Sequence, residues 1–402
     1  MNTTVTYLGG LVVAALRAAG YAESTIGQYE KTILVLDRFI KDHGGTYTKS
    51  SGAVFESLTT SPRTGQFSTQ RRFAYTRIVA LFDSLLDTGA VFLGTRKRGG
   101  GGRHPAGDAF TRLDAAWEAE MTERELADAT REAYGRVARG YLVFLEDAGI
   151  LRLEDAGADT ITTFLESLLD RWAKSSLSWL VSNFRPFLKF VGRTDLVDAV
   201  GLAGVRRSHP VLAVMADADV QRVVTACTSP SLLPARDASI TLLALMTGLR
   251  SCDIIDLRLI DIDWRAQTLS LIQQKTRNPV TLPLPGLLMA RLADYVLTER
   301  PATDDDHVFL RRLAPHTALA DHATIHRITT VVFTAAGVAD PRAGSRLLRH
   351  TAASRLLAAA VALPTISAVL GHARIESTSV YLAVDDERLV QCVLPVPAGA
   401  RS

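Results

Sequence analysis

Residues 237–284 read DASITLLALMTGLRSCDIIDLRLIDIDWRAQTLSLIQQKTRNPVTLPL, and their hydrophobic period changes half-way along. Asp237 to Met246 is apolar at helical spacing and stops at Gly248, a residue suited to a helix C-terminus; Ser251 can cap a second helix running to about Leu259. Leu269 to Gln273 and Val280 to Leu284 alternate as half-buried strands do, joined by Gln274-Lys275-Thr276-Arg277-Asn278-Pro279, a turn-forming sequence. The stretch therefore predicts two helices and then a hairpin with Lys275 at its tip. Downstream the helical period returns over Ala323–Ala336, Ser345–Ala360, Pro364–Leu370 and Ser377–Val384, with proline suitably placed in the first turn of the third.

Upstream the chain reads as helices alone, broken twice. Gly94–Gly107, GTRKRGGGGRHPAG, has four consecutive glycines that remove any preference for helix or strand, and a second break lies near Gly201–Pro210. The segments before the second break resemble each other at a constant offset of 105: Tyr21, Thr25, Tyr29, Phe39, Asp42 and Gly44 recur as Leu126, Thr130, Tyr134, Phe144, Asp147 and Gly149. Each is followed by an aromatic-rich helical stretch, around Phe73 and Tyr75 in the first and around Trp179 and Phe187 in the second. Two related all-helical domains follow from this repetition. The expected organisation is a helical domain at 1–93, a basic glycine-rich linker at 94–107, a helical domain at 108–202, a basic linker at 203–210, a mixed domain at 211–384 and a tail at 385–402.

Composition narrows the class. A chain of 402 residues with 47% apolar and 22% charged residues is too apolar for disorder and long enough for two or three cores. Cys227, Cys252 and Cys392 are few, distant and odd in number, which suggests neither a disulfide framework nor a zinc site and points to a reducing compartment. The apolar patch at Leu8–Leu16 has no basic residue before it, and no apolar run approaches the length of a membrane span, so a cytoplasmic protein is expected. Net charge is only +3, but Arg96, Lys97, Arg98, Arg103 and His104 cluster in the first linker and Arg206, Arg207 and His209 in the second. Basic linkers are weak indicators of phosphate contact taken alone.

Four segments of the last domain belong together: Thr247-Gly-Leu-Arg250-Ser-Cys-Asp253, the hairpin Lys275, Arg346-Leu-Leu-Arg349-His350-Thr351, and Leu370-Gly371-His372 followed nine residues later by Tyr381. Any one of these has a bland reading: a solvated helix-end arginine, a routine turn lysine, a packing tyrosine. In this order and spacing they resemble the tyrosine recombinase (phage integrase) family, whose catalytic set runs Arg, Lys, His-x-x-Arg, His or Trp, Tyr. The resemblance spans about Val211 to Val384. It implies a mainly α chain: two helical SAM-like domains of the core-binding type, followed by an α+β catalytic domain that combines helices with a small sheet.

The chemistry explains the grouping. A phosphodiester attacked by a phenol gathers negative charge on its non-bridging oxygens, which Arg250 and Arg349 can bind bidentately and His372 can reach with a further hydrogen bond. Lys275 can protonate the leaving 5′ oxygen, and Tyr381 remains as a 3′-phosphotyrosyl ester that conserves the bond for rejoining. So arranged, the reaction calls for no metal and no cofactor. Asp253, one turn after Arg250, can orient an arginine, and His350 reads as a packing histidine. One position departs from the family: Arg346 stands where histidine is usual. It can still reach the phosphate, but arginine does not give up its proton near neutral pH and so is a poor base for the tyrosine proton.

The resemblance implies double-stranded DNA as partner and a synaptic tetramer on DNA, with a tail beyond the tyrosine contacting a neighbour. Asp385–Leu394, with Leu389, Val390, Val393 and Leu394 on one side, could form that tail or pack in cis. A sister recombinase or accessory factor is a further expected partner; a membrane is not. Arg206, Arg207 and Arg277 are candidates for phosphate contact around the core, and Arg71, Arg72 and Arg77, beside Phe73 and Tyr75, for a second DNA segment held by the first domain, which could instead bind a protein. The leading expectation is a site-specific recombinase, the integrase or transposase of a mobile element. A strand-relaxing enzyme of type IB topoisomerase chemistry and a catalytically impaired DNA-binding accessory factor remain as alternatives; the duplicated front and possible tail weigh against the first, the intact catalytic set against the second.

Overall fold

The computed structural model describes residues 3–93, 103–170, 172–202, 212–338 and 344–371. By backbone proximity the chain forms two compact units, Arg96–Pro210 in one and Met1–Thr95 with Val211–Ser402 in the other. Each of the three predicted segments has a hydrophobic core of its own.

The first segment holds α1 (Val5–Ala18), α2 (Glu23–Lys41), α3 (Lys49–Ser57) and α4 (Thr69–Thr88). The middle one holds α5 (Asp108–Glu123), α6 (Asp128–Asp147), α7 (Ala158–Leu169), α8 (Leu177–Phe190) and α9 (Thr194–Leu202). The repetition in the sequence survives as burial: α2 and α6 begin 105 positions apart, and Ile33, Leu36 and Ile40 are buried where their counterparts Ala138, Tyr141 and Leu145 are buried. The same stripe at the same register means that both helices present the same face to their cores.

The last segment begins with α10 (Asp217–Thr228), α11 (Ala235–Thr247) and α12 (Ser251–Ile255), continues through β1 (Ile262–Asp263), β2 (Thr268–Ile272) and β3 (Pro279–Pro283), and ends, within the described residues, with α13 (Gly286–Asp294), α14 (His322–Ala335), α15 (Ser345–Ala358) and α16 (Leu363–Leu370). Nearly every side chain of α11 is buried, so this helix is the axis about which the domain packs. The sheet is antiparallel in the order β1-β2-β3, with Leu269 opposite Leu282, both buried. Pro279 and Pro283 are tolerated because β3 is an edge strand and its outer side needs no donors. The expected hairpin is therefore present, one residue earlier on each strand.

Two helix expectations are corrected. The helix after Gly248 is a short α12 that ends at Ile255, and a separate 3-10 turn covers Leu259–Asp261. Ser251 does not cap it: Arg250 occupies the cap position in extended conformation, and the Ser251 hydroxyl instead meets the Ser345 hydroxyl at 2.5 Å, joining the starts of α12 and α15. The Ser377–Val384 helix lies outside the described residues.

Candidate active site: two arginines on a helix end

Three helices meet at the site, two of them by their C-terminal ends. Gly248 closes α11 with φ +67°, which lets the chain reverse into extended Arg250. A side chain there would be strained, and a Cβ would lie 2.7 Å from Leu370 Cδ2. The second helix is α15, which carries Arg349 in its second turn, 8% exposed. The third is α16, which ends at Gly371 with φ +62° and ψ +51°.

The last carbonyls of a helix have no partner within it and form the negative end of its dipole, so cations are favoured there. Both arginines use this. Arg349 donates from Nη2 to the Leu370 carbonyl at 2.8 Å and from Nη1 to the Gly248 carbonyl at 2.7 Å. Arg250 donates from Nη2 to the Gly371 carbonyl at 3.0 Å and from Nη1 to Gln273 Oε1 at 3.0 Å. Two guanidiniums from distant parts of the chain are thus held on adjacent carbonyls, at the residue immediately before His372. His372 itself and Tyr381 lie outside the described residues, as do Arg206, Arg207 and the tail at Asp385–Leu394.

Lys275 sits in the hairpin turn, exposed, with Arg277 two residues on in a left-handed conformation (φ +58°). Arg346 is exposed on the first turn of α15, one turn before Arg349. Neither the Lys275 nor the Arg346 side chain makes a hydrogen bond or ion pair among the described residues. His350 is half-buried on α15, and burial, reinforced by the charges of Arg346 and Arg349, pushes its imidazole down to about 4, so it is neutral at neutral pH.

The expectation for Asp253 is corrected. Its buried carboxylate holds no arginine among the described residues; Oδ1 accepts the backbone N–H of Gln274 at 2.8 Å and so pins the root of the hairpin, while Oδ2 has no hydrogen-bond partner there. The reason is position: Asp253 Oδ1 is taken by the Gln274 N–H at the hairpin root, whereas the Arg250 guanidinium is taken by the Gln273 side chain and the Gly371 carbonyl. The residue that does orient Arg250 is Gln273, which the reading of motifs passed over. A signal existed, since the alternation that turns Leu269 and Leu271 inward also turns Gln273 inward, and a glutamine on an apolar face needs partners.

In the first segment, Arg71, Arg72 and Arg77 all lie on α4, and two of the three are engaged internally. Arg77 donates to the Tyr21 hydroxyl at 3.2 Å and lies over the Tyr29 ring; Arg71 donates to the Thr60 carbonyl at 3.3 Å and lies over Tyr75. Exposed Arg72 lies near the exposed rings of Phe67 and Phe73.

This mainly helical chain with a small antiparallel sheet has the fold of the tyrosine recombinases. The XerH site-specific recombinase bound to palindromic difH substrate matches with TM-score 0.55 at 14% identity, over 90% of this chain and 95% of that one. A lambda integrase dimer bound to a COC′ core site matches with TM-score 0.51 at 18% identity, over 80% and 90%. The sequence profile of the phage integrase family matches residues 213–388. A Sinorhizobium fredii (strain NBRC 101917 / NGR234) protein named as an integrase/recombinase, y4gC, is 36% identical over 164 residues, 40% of this chain and 83% of that one. Tyrosine recombinase XerC of Rhizobium meliloti (strain 1021) is 29% identical over 292 residues, 68% of this chain and 89% of that one. The chain belongs to the phage integrase family of tyrosine recombinases. No described helix is long and apolar enough to cross a membrane.

Proposed function

We propose that this chain is the site-specific recombinase of a mobile element, cutting and rejoining double-stranded DNA through a 3′-phosphotyrosyl bond at Tyr381. The observation that carries this reading is the pair Arg250 and Arg349 held on the carbonyls of Leu370 and Gly371, directly before His372 and beside a hairpin bearing Lys275. A guanidinium has five N–H donors, so Arg250, with two in use on protein atoms, has capacity left for phosphate. In the cleavage step the Tyr381 hydroxyl gives its proton to water or to the phosphate as its oxygen bonds to phosphorus, the 5′ oxygen leaves and takes a proton from Lys275, and the arginines with His372 bear the charge on the non-bridging oxygens. Rejoining reverses the step with a different 5′ hydroxyl.

Around this centre, four protomers would bring two duplexes together, with the tail after Tyr381 reaching a neighbour, Arg206, Arg207 and Arg277 contacting phosphates, and the first helical segment engaging a second DNA segment through exposed Arg72. Relatives named as integrase/recombinase support the mobile-element setting. The test is a suicide-substrate assay with nicked duplexes carrying the ends of the chain's own element, beside Tyr381→Phe: a covalent adduct formed with chelator present and lost in the variant is expected. One observation favours a second reading, that of an accessory factor: Arg346, where the family places a base, is an exposed cation. Tight binding with no adduct on any element-end DNA would select it.

A further inference from the structure

We infer that Gln273 is a positioning residue for strand cleavage, holding the Arg250 guanidinium and the end of α16 in one geometry and tying both to the hairpin that carries Lys275. The inference rests on the recombinase reading above. Gln273 follows β2 directly and is fully buried. Its backbone is fixed within the hairpin, the N–H donating to Asn278 O at 2.9 Å and the carbonyl accepting from Arg277 N–H at 2.8 Å. Its side chain reaches outside the hairpin. Oε1 accepts from Arg250 Nη1 and from Thr276 Oγ1, both at 3.0 Å, and Nε2 donates to the Leu370 carbonyl at 3.3 Å.

The orientation of this amide is settled by chemistry, since a guanidinium can only donate and the oxygen must therefore face Arg250. Gly371 O accepts from Arg250, so the amide closes a ring that runs Arg250, Gln273, Leu370, Gly371, and Arg349 joins it by donating to Leu370 O as well. Gly371 makes room for it: a Cβ there would lie 1.5 Å from Gln273 Oε1. Burying an amide costs free energy unless it is bonded, and an aliphatic residue would fill the same space more cheaply. What the amide adds over an aliphatic side chain is a fixed address for one guanidinium and one helix end.

The experiment is single-turnover cleavage of the nicked suicide duplex by the full chain, with DNA affinity and thermal stability measured in parallel. Gln273→Met keeps the volume and loses the acceptor; cleavage is expected to fall about 10- to 100-fold, as for a misplaced catalytic group, with DNA affinity unchanged. In an Arg250→Lys background the same substitution is expected to change the rate by less than about threefold, because coupled residues are not additive. Gln273→Glu keeps an acceptor for Arg250 and is expected to cleave at least about tenfold faster than Gln273→Met, which keeps the test open if Gln273→Met folds poorly. Cleavage by Gln273→Met at the wild-type rate, an equal loss in both backgrounds, or equal rates for the Glu and Met variants would each overturn the inference alone. Wild-type protein that forms no Tyr381 adduct on any end duplex overturns the recombinase reading together with it.

Discussion

The cations of the site fall into two groups that the fold treats oppositely. Arg250 and Arg349 are clamped by carbonyls and an amide, and Arg349 is almost wholly out of solvent. Lys275 and Arg346, on a turn and on a first helical turn, stand exposed, and their side chains make no hydrogen bond or ion pair among the described residues. The clamped pair suits a fixed duty, bearing charge on oxygens whose place does not change through the reaction. Exposed Lys275 suits a moving duty, since a proton donor must approach an atom that departs, while exposed Arg346 keeps its proton and adds only charge. Structure and function are fused in the first group and separable in the second.

Substitutions can break that contrast, beginning with the largest effect. Arg349→Ala leaves the Gly248 carbonyl without its buried donor and removes one charge clamp; adduct formation is expected to fall at least about a thousandfold and stability by about 2–4 kcal/mol, read by gel assay and denaturant titration. Lys275→Ala is expected to slow cleavage about 100- to 1,000-fold while stability stays within about 0.5 kcal/mol, because nothing packs on an exposed turn side chain. A matching loss of stability would place Lys275 in the first group instead. Gly371→Ala adds a methyl group to a left-handed residue where Gln273 already lies; a cost of at least about 1–2 kcal/mol and slower cleavage are expected together.

The smaller effects sharpen the contrast. Arg346→His introduces a group able to take the Tyr381 proton, so cleavage should rise, within about tenfold, as pH passes the ordinary histidine value near 6.5, with melting temperature unchanged. A rate indifferent to this change would mean that the tyrosine proton leaves by another route. His350 supplies the smallest signal. Its imidazole is depressed to about 4 in the folded chain, below the unfolded value, so the unfolded chain takes up the proton first as pH falls. Its contribution to stability is complete above about 6.5 and is lost on descent toward 4, and His350→Asn should flatten the melting temperature over that window.

The legible parts of the fold were those with a strong period or a decisive residue. α11 with its glycine stop, the β2–β3 hairpin, and the proline-started α16 all stand where the sequence places them, to within a residue or two. In the front half the apolar stripe repeated at 105 positions was legible as burial, since Ile33, Leu36 and Ile40 and their counterparts Ala138, Tyr141 and Leu145 are all buried. Contacts between segments far apart in sequence were not legible. Nothing near Asp253 announces that its partner is the Gln274 backbone, 21 positions away, and nothing near Ser251 announces Ser345, 94 positions away. Arg250 and Arg349 were readable as a pair from their motifs, but that they share the end of α16 is a tertiary fact. The order of residues carries the chemistry, and the packing decides which neighbour holds each one.

The close approach of Gln273 and Gly371 also bears on descent. While the amide occupies the space beside position 371, any side chain there collides with it. Shorten residue 273 and the three nearest obstacles go, while the left-handed backbone that remains is one asparagine can adopt. Drift at the two positions therefore has a permitted order, 273 first and 371 second, and lineages that changed one should carry the trace of that sequence in the other.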